Sequence, residues 1–375
     1  MTKHLFAVCA VALILSLAGS TLANDEKTAG KPSGEKIERS LTVDPQATVT
    51  LCVESGTLNV HGWEKSEIRV RSIDAVNIDF RRIDRTKDTS RPATRVDVMV
   101  MAKSPTPNPR RDCQALADVE MEVPSGATVQ VQTRDGDITI TGVAGAYAGS
   151  QNGDIAIERV TKLVEAGSVG GSISLKDSSG RVNLSSAGAS VEAYNVRAAS
   201  DEDTFEVGSV SGDIVLERIA TPTVNAKTVS GTVTMSGPLA KKGNYGFTTV
   251  TGDVILAMPH DASFQLNAKV SEKHLIVSDF PLKYISEAPP PPPATPGKKA
   301  PEAKPKPPAV KDKPEKEKEK EKEMPGTGPI VSPIVIAKPR VVAPYALRRV
   351  TAICGSGDAT ISINSFGGTV RLKKI

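Results

Sequence analysis

Four aspartates stand directly behind a repeated glycine: Asp137, Asp154, Asp213 and Asp253 follow Gly136, Gly153, Gly212 and Gly252. If the repeats stack in register, this position forms a column that reads Asp137, Asp154, Ser172, Arg181, Asp213, Thr232, Asp253 and Thr369. Two adjacent carboxylates there have the charge to hold Ca²⁺, or to act as acid and base on an acidic polysaccharide. The surroundings speak against both. The Gly-Gly-x-Gly-x-Asp nonapeptide of calcium β-rolls is absent, and no Asp/Arg/Lys constellation converges on the column. An Asp behind a turn glycine ordinarily caps backbone N–H groups, and that is the role expected here.

Cysteine and histidine offer no stronger chemistry. Cys9, Cys52, Cys113 and Cys354 have no CxxC spacing, and His61, His260 and His274 stand alone, so neither a zinc site nor a Cys/His nucleophile pair is visible. The three histidines read as loop or surface residues, and Trp63 as packing at one end of the fold. The sequence therefore names no catalytic residue, no cofactor, no metal ligand and no ligand-binding residue, and it reads as non-enzymatic. With seven Phe, five Tyr and one Trp in 375 residues, few aromatic platforms exist for stacking sugars or bases. The formal charge is +4 without a basic footprint, which argues against nucleic acid as a partner.

The elements that would carry these residues are short strands. The unit TRDGDITI (133–140) recurs as SQNGDIAI (150–157), SVGGSISL (168–175), DSSGRVNL (177–184), SVSGDIVL (209–216), TVSGTVTM (228–235), TVTGDVIL (249–256) and SFGGTVRL (365–372). The fourth residue is Gly in all eight, and the first is Ser or Thr in all but 177–184. Within the runs 136–171 and 212–252, the sheet-starting glycines stand 17 to 21 residues apart, a solenoid period. The gap from 180 to 212 hides a degenerate copy around Gly188–Ala193. In this reading Gly supplies a left-handed corner and the Ser or Thr hydroxyl bonds its own turn. Pairs such as Ile138/Ile140, Ile155/Ile157, Ile173/Leu175, Ile214/Leu216 and Val254/Leu256 then point inward. A second strand precedes each unit, as at Val129–Val131, Val164–Ala166, Phe205–Val207 and Val224–Ala226. The expected fold is all-β, a parallel β-solenoid with Gly-cornered coils of about 17–21 residues stacked about 4.8 Å apart.

Upstream, Thr48–Val53, Thr57–Val60, Ile68–Arg71 and Arg95–Met101 alternate as half-exposed strands, Asp74–Arg91 is charged and ambiguous, and the prolines of 104–111 require a loop. Residues 1–23 read as a signal peptide: Lys3 and His4, an apolar run from Leu5 to Leu17, then Thr21-Leu22-Ala23 at the exit. No later segment reaches the apolar length of a membrane helix. The chain thus divides into signal peptide (1–23), polar leader (24–36), N-terminal β region (37–126), solenoid repeats (127–286), a Pro/Lys/Glu-rich insertion (287–329) and C-terminal strands completing the solenoid (330–375). The insertion opens with five prolines and ends in an alternating Glu/Lys run, a composition expected to be disordered or polyproline-like.

The run Val123-Pro-Ser-Gly-Ala-Thr-Val-Gln-Val-Gln-Thr-Arg-Asp-Gly-Asp-Ile138, with Gly142-Val143 and the Asn152-Gly-Asp-Ile155 copy, resembles the bacterial putative-adhesin family of exported β-strand-repeat proteins. Ser55–Trp63 is similar to that family's opening Gly-Trp turn. The resemblance covers 37–277 and a final coil at 357–374, interrupted by the insertion. It implies a β-solenoid acting at the cell envelope, and it brings no shared catalytic residues. The expected function is a binding module, exported by a cleavable signal peptide to the periplasm or cell surface, that attaches to an envelope polymer, glycan or surface protein without being an integral membrane protein. The alternative is a scaffold that self-associates through its open coil ends.

Export leaves Cys52, Cys113 and Cys354. The first two fall at one end and Cys354 near the last coil. About eight coils would separate the ends by on the order of 40 Å, against a Cα limit of about 7 Å for a bridge. A disulfide, if one forms, joins Cys52 to Cys113 and leaves Cys354 as a buried thiol or an intermolecular partner; three free thiols are the alternative.

Overall fold

The short aliphatic strands expected from the repeats need neighbours above and below, and a computed structural model shows how they find them. It describes residues 36–84, 90–102, 113, 115–271, 275–286 and 347–375. The signal peptide, nearly all of the leader, the 104–111 loop, the insertion, residues 330–346 and His274 lie outside the described residues.

All regular structure among the described residues is β. The N-terminal end is built from β1 (Ile37–Cys52), β2 (Leu58–Trp63), β3 (Glu67–Ser72), β4 (Ala75–Arg82), β5 (Ala93–Ala102) and β6 (Val119–Pro124). The middle follows as β7 (Thr128–Gln132), β8 (Ile138–Thr141), β9 (Gly145–Ser150), β10 (Ile155–Glu158), β11 (Leu163–Ser168), β12 (Ile173–Lys176), β13 (Arg181–Ser186) and β14 (Val191–Arg197). It continues with β15 (Thr204–Ser209), β16 (Ile214–Ala220), β17 (Thr223–Lys227), β18 (Val233–Ser236), β19 (Asn244–Thr249) and β20 (Val254–Met258). The far end holds β21 (Phe264–Ser271), β22 (Ile276–Ser278), β23 (Lys283–Ser286), β24 (Leu347–Cys354), β25 (Ala359–Ser365) and β26 (Val370–Lys374).

From β7 to β20 the chain alternates between two parallel sheets, even strands in sheet I and odd strands in sheet II, so each coil is two strands and two corners. Inward residues of both sheets meet in one aliphatic core: Val129, Val131, Ile138, Ile140, Ile155, Ile157, Val224 and Val254 are all at most 1 % exposed. The expected inward and outward faces are those observed. Parallel order follows from this geometry, because each strand repeats the direction of its counterpart one coil earlier.

The order of coils in the stack is not the order in the chain. Sheet I runs β1 (first half), β3, β6, β2, β8, then even strands to β20, then β26 and β22; sheet II runs β4, β5, β1 (second half), β7, then odd strands to β19, then β25, β21, β24 and β23. The stack has eleven two-strand levels rather than about eight, since β5/β6, β1/β2 and β21/β22 are coils too. The C-terminal pair β25/β26 is the last in sequence but the second to last in space, inserted between β19/β20 and β21/β22. Antiparallel strands close both ends of sheet II, β4 on β5 and β24 with β23 beyond β21. The charged stretch left ambiguous by its sequence therefore contains a strand, β4, which contributes buried Ala75 and Ile78 and half-buried Phe80 to the core.

Two readings of the repeat unit are corrected. DSSGRVNL (177–184) leads into β13 of sheet II, whereas the other seven units lead into sheet I. Its place in the column belongs to the degenerate copy, Ser186 to Ala193, whose Val191 pairs with Ile173 and Ile214. The Asp at the head of 177–184 marked the difference: with Ser186 in its place, the first position is Ser or Thr throughout.

The second correction concerns why glycine is needed. Gly180 does have a left-handed backbone, with φ of 100°, but Gly136, Gly153, Gly171, Gly212, Gly231, Gly252 and Gly368 do not. These glycines are required by close approach. A Cβ on Gly153 would stand 1.8 Å from the carbonyl oxygen of Gly136, and one on Gly252 would stand 1.8 Å from that of Gly231. Left-handed residues collect instead at the opposite corner, where the chain returns from sheet I to sheet II: Gly142, Arg159, Asp177, Asn195, Arg218 and Gly237.

Candidate functional site

Beside the glycine column runs a column of buried hydroxyls. Ser150, Ser168, Ser209 and Thr249 accept the N–H of the glycine three residues on, at 2.8, 2.9, 2.8 and 2.9 Å. Each also donates to the corner carbonyl one coil earlier, as Ser168 Oγ does to Gly153 O at 3.2 Å and Ser150 Oγ to Gly136 O at 3.1 Å. Ser168, Ser186, Ser209, Thr249 and Ser365 are fully buried. A hydroxyl can donate once and accept, so one side chain satisfies two backbone groups that burial would otherwise leave unpaired. The expected bond to the turn is present, and the second bond, which ties coil to coil, is additional.

The aspartate column is engaged in the same kind of work. Asp137 Oδ1 accepts the N–H of Asp154 at 2.9 Å, Asp154 that of Ser172 at 2.7 Å, Asp213 that of Thr232 at 2.7 Å and Asp253 that of Thr369 at 2.8 Å. Asp253 Oδ2 takes Arg371 as well, at 2.6 Å. The carboxylates cap the neighbouring coil, and among the described residues no group of three His, Cys, Asp or Glu side chains has the arrangement of a metal site. Arg181, read into this column from its sequence, belongs to sheet II and lies elsewhere.

At the N-terminal end, sheet I carries an ion-paired cluster on its outward face. Arg69 pairs with Glu122, and Arg71 reaches Glu38 at 2.7 Å and Glu122 at 3.4 Å. The Arg69 guanidinium holds the Glu122 carboxyl below its usual range, as Arg71 does for Glu38. Trp63 donates from Nε1 to Glu67 O at 2.7 Å, and its ring lies 4.5 Å from the Arg69 guanidinium and 4.8 Å from Lys65 Nζ. It lies half-buried on β2, in the second level from the N-terminal end of the stack. A shallow cleft nearby is lined by Lys36, Asn59, Arg71 and Glu120, of which Lys36 and Glu120 already pair with each other. His61 and His260 are exposed.

Cys52 and Cys113 form a disulfide with Cα atoms 5.0 Å apart, and Cys354 is a buried free thiol. Both outcomes follow the pairing argued from stack order. Burial pushes the Cys354 thiol above its ordinary range, which keeps it protonated and unreactive.

Outward positions form regular rows. In sheet II, Gln130, Tyr147, Glu165, Asn183, Glu206 and Asn225 succeed one another along the stack. Burial pushes the Glu165 carboxyl up; burial, with Glu165 beside it, does the same to the Tyr147 phenol. The sequence signal of these rows was only that each residue falls between two apolar ones.

Residues 117–273 match the Toastrack DUF4097 family, a segment containing β7 to β20 and the Val123–Ile155 motifs of the resemblance above, with Ser55–Trp63 outside it. No curated protein matches the chain. Among solved structures, a putative cell adhesion protein from Clostridium sporogenes is similar at 9% identity and TM-score 0.24, covering 91% of this chain and 100% of its own. A putative adhesin from Parabacteroides merdae is similar at 14% identity and TM-score 0.39, covering 60% of this chain and 90% of its own. A putative lipid binding protein from Parabacteroides distasonis is similar at 16% identity and TM-score 0.37, with the same coverage. At these TM-scores the likenesses carry no functional argument, and the architecture rests on the strand pairing described above.

Proposed function

We propose that this chain is a non-enzymatic binding module, exported by its signal peptide to the periplasm or cell surface and attaching there to a cell-envelope or extracellular component, as an adhesin does. The observation that carries the reading is the division of labour among polar residues. The hydroxyls of the column beside the glycines and the corner aspartates, the groups best suited to chemistry, are occupied by backbone N–H and C=O groups of their own and adjacent coils. The outward rows stand over the buried aliphatic core and take no part in that bonding. That arrangement suits recognition of an extended ligand.

The test is retention of the mature protein, residues 24–375, on fractionated cell envelopes, with and without 287–329. Retention on one fraction that survives loss of the insertion is expected; failure to be retained on any fraction overturns the reading.

The scaffold alternative is favoured by one observation. At the far end of the stack Leu275, Tyr284 and Ile285 are 70 %, 60 % and 56 % exposed, on or beside the short strands β22 and β23. Apolar residues at a strand edge invite pairing with another chain. A solution mass that rises with concentration supports the scaffold, and a constant monomer mass removes it.

A further inference from the structure

The outward face of sheet II changes character along the stack. Over its first two-thirds carboxylates stand among the polar residues, at Asp97, Glu165 and Glu206. From β17 to β23 the outward positions on the described strands carry no carboxylate. They hold hydroxyls and amides, among them Asn225, Ser362, Asn267 and Thr351, the apolar Leu347 and Ile353 of β24, and four cations.

Three of the cations share one row. Lys227 pairs in register with Thr248, Thr248 with Asn364, Asn364 with Lys269, and Lys269 with Arg349. The row crosses five strands over roughly 19 Å at about 4.8 Å per strand. Lys227, Lys269 and Arg349 are exposed, and the fourth cation, Lys283, lies one strand beyond on β23. Lys269 and Arg349 are directly opposite each other across an antiparallel pair, an arrangement that repels and that folding alone would not select. The row joins β17, β19, β25, β21 and β24, so it exists only after the C-terminal pair is inserted.

We propose that this row binds an anionic polysaccharide, a partner that deepens the binding-module reading above and rests on it. Lys227 at one end of the row and the adjacent Lys269 and Arg349 at the other answer carboxylates along the polymer, the intervening Thr248 and Asn364 answer its hydroxyls, and the like-charge pair Lys269/Arg349 is relieved by the bound anion. The lack of aromatic residues in the row fits a charged glycan, which is held by ionic and hydrogen bonds, better than a neutral one, which is held by stacking. Because the cations are exposed, binding weakens as salt rises.

The experiment measures binding of mature full-length protein to polygalacturonate, with dextran as the neutral control, at low and at physiological salt. Binding to polygalacturonate and not to dextran is expected, and the triple variant Lys227→Gln/Lys269→Gln/Arg349→Gln should bind about tenfold more weakly or worse. A charge-matched variant, Lys162→Gln/Lys176→Gln/Arg197→Gln, should bind as the parent does. Far-UV circular dichroism and thermal unfolding establish that both variants fold, and the row variant should melt no lower than the parent. Equal weakening by both variants, unchanged binding by the row variant, or no binding by the parent overturns the assignment. Envelope retention of a parent chain that ignores polygalacturonate would sink this row and leave the module reading standing, whereas no retention on any fraction sinks the reading itself.

Discussion

Gly153 faces the carbonyl oxygen of Gly136 so closely that a Cβ on it would lie 1.8 Å from that oxygen, well inside any contact real atoms tolerate. Both residues have ordinary backbone at this corner, so contact rather than conformation fixes the residue type. Gly153→Ala, a change harmless to φ, is expected to destabilise the protein by about 3 kcal/mol or more, because the backbone of a stacked coil must shift to admit one methyl group. Chemical denaturation measures it. A loss under about 1 kcal/mol, the ordinary cost scale of a surface change, would show that the corner yields.

Ser168 should be nearly as intolerant. Its hydroxyl accepts from Gly171 N at 2.9 Å and donates to Gly153 O at 3.2 Å while fully buried. Ser168→Ala leaves both groups unpaired and is expected to cost about 1–3 kcal/mol. A half-buried outward residue such as Ser174 changed to Ala should cost within about 0.5 kcal/mol, and equal losses at the two serines would contradict the inward and outward assignment.

Thr221 presents the opposite case. It is fully buried at a corner, and its hydroxyl has no hydrogen-bond partner among the described residues. Thr221→Val keeps the shape and removes the unpaired group, so the melting temperature should hold or rise; a fall of several degrees would reveal a partner for that hydroxyl.

The Cys52–Cys113 bridge closes a 61-residue separation. On chain-entropy grounds a loop of that size contributes about 4 kcal/mol by restricting the unfolded chain. Comparing denaturation midpoints with and without reductant, in a Cys354→Ala background, tests this. No change on reduction would mean that the loop is constrained without the bridge.

Glu165 gives a pH signature. Its folded carboxyl titrates above the ordinary range because of burial, so the ionised form burdens the folded state at neutral pH and the burden vanishes once both folded and unfolded carboxyls are protonated. Glu165→Gln should therefore raise the melting temperature at pH 7, with the gain fading as the pH falls through the raised folded value and gone below about 4, near the ordinary glutamate value. A gain that persists in acid would assign the effect to packing instead.

Much of this fold is legible in residues. Ile138/Ile140 and Val129/Val131 announce strands and their inward face, and the spacing from Gly136 to Gly153 announces a stacked coil, because alternation and period act over a few residues. The register of 177–184 was not legible: both corners use a Ser or Gly beside alternating aliphatics, so Gly180 looks like a member of the wrong column, while Ala189, the true member, lacks the glycine that marks it. Ala189 N bonds Ser186 Oγ at 3.2 Å, longer than at Gly153, Gly171, Gly212 and Gly252. The inverted order of the end coils has no local signal at all, since it is decided by which edge is free when Ala359–Lys374 arrives. The cation row inherits that difficulty: Lys227, Lys269 and Arg349 are far apart in sequence, and only the insertion of β25 between β19 and β21 sets them in line.

That insertion also governs timing. A chain made from its N-terminus lays down β19 and β20, then β21 and β22, whose final seats do not touch the coil before them. Those seats become contiguous only when the last residues, up to Lys374, slide between. Unlike a repeat protein that can harden coil by coil as it emerges, this one completes its far end from strands made after β23, so a chain halted before Leu347 leaves β21 without either of its neighbours.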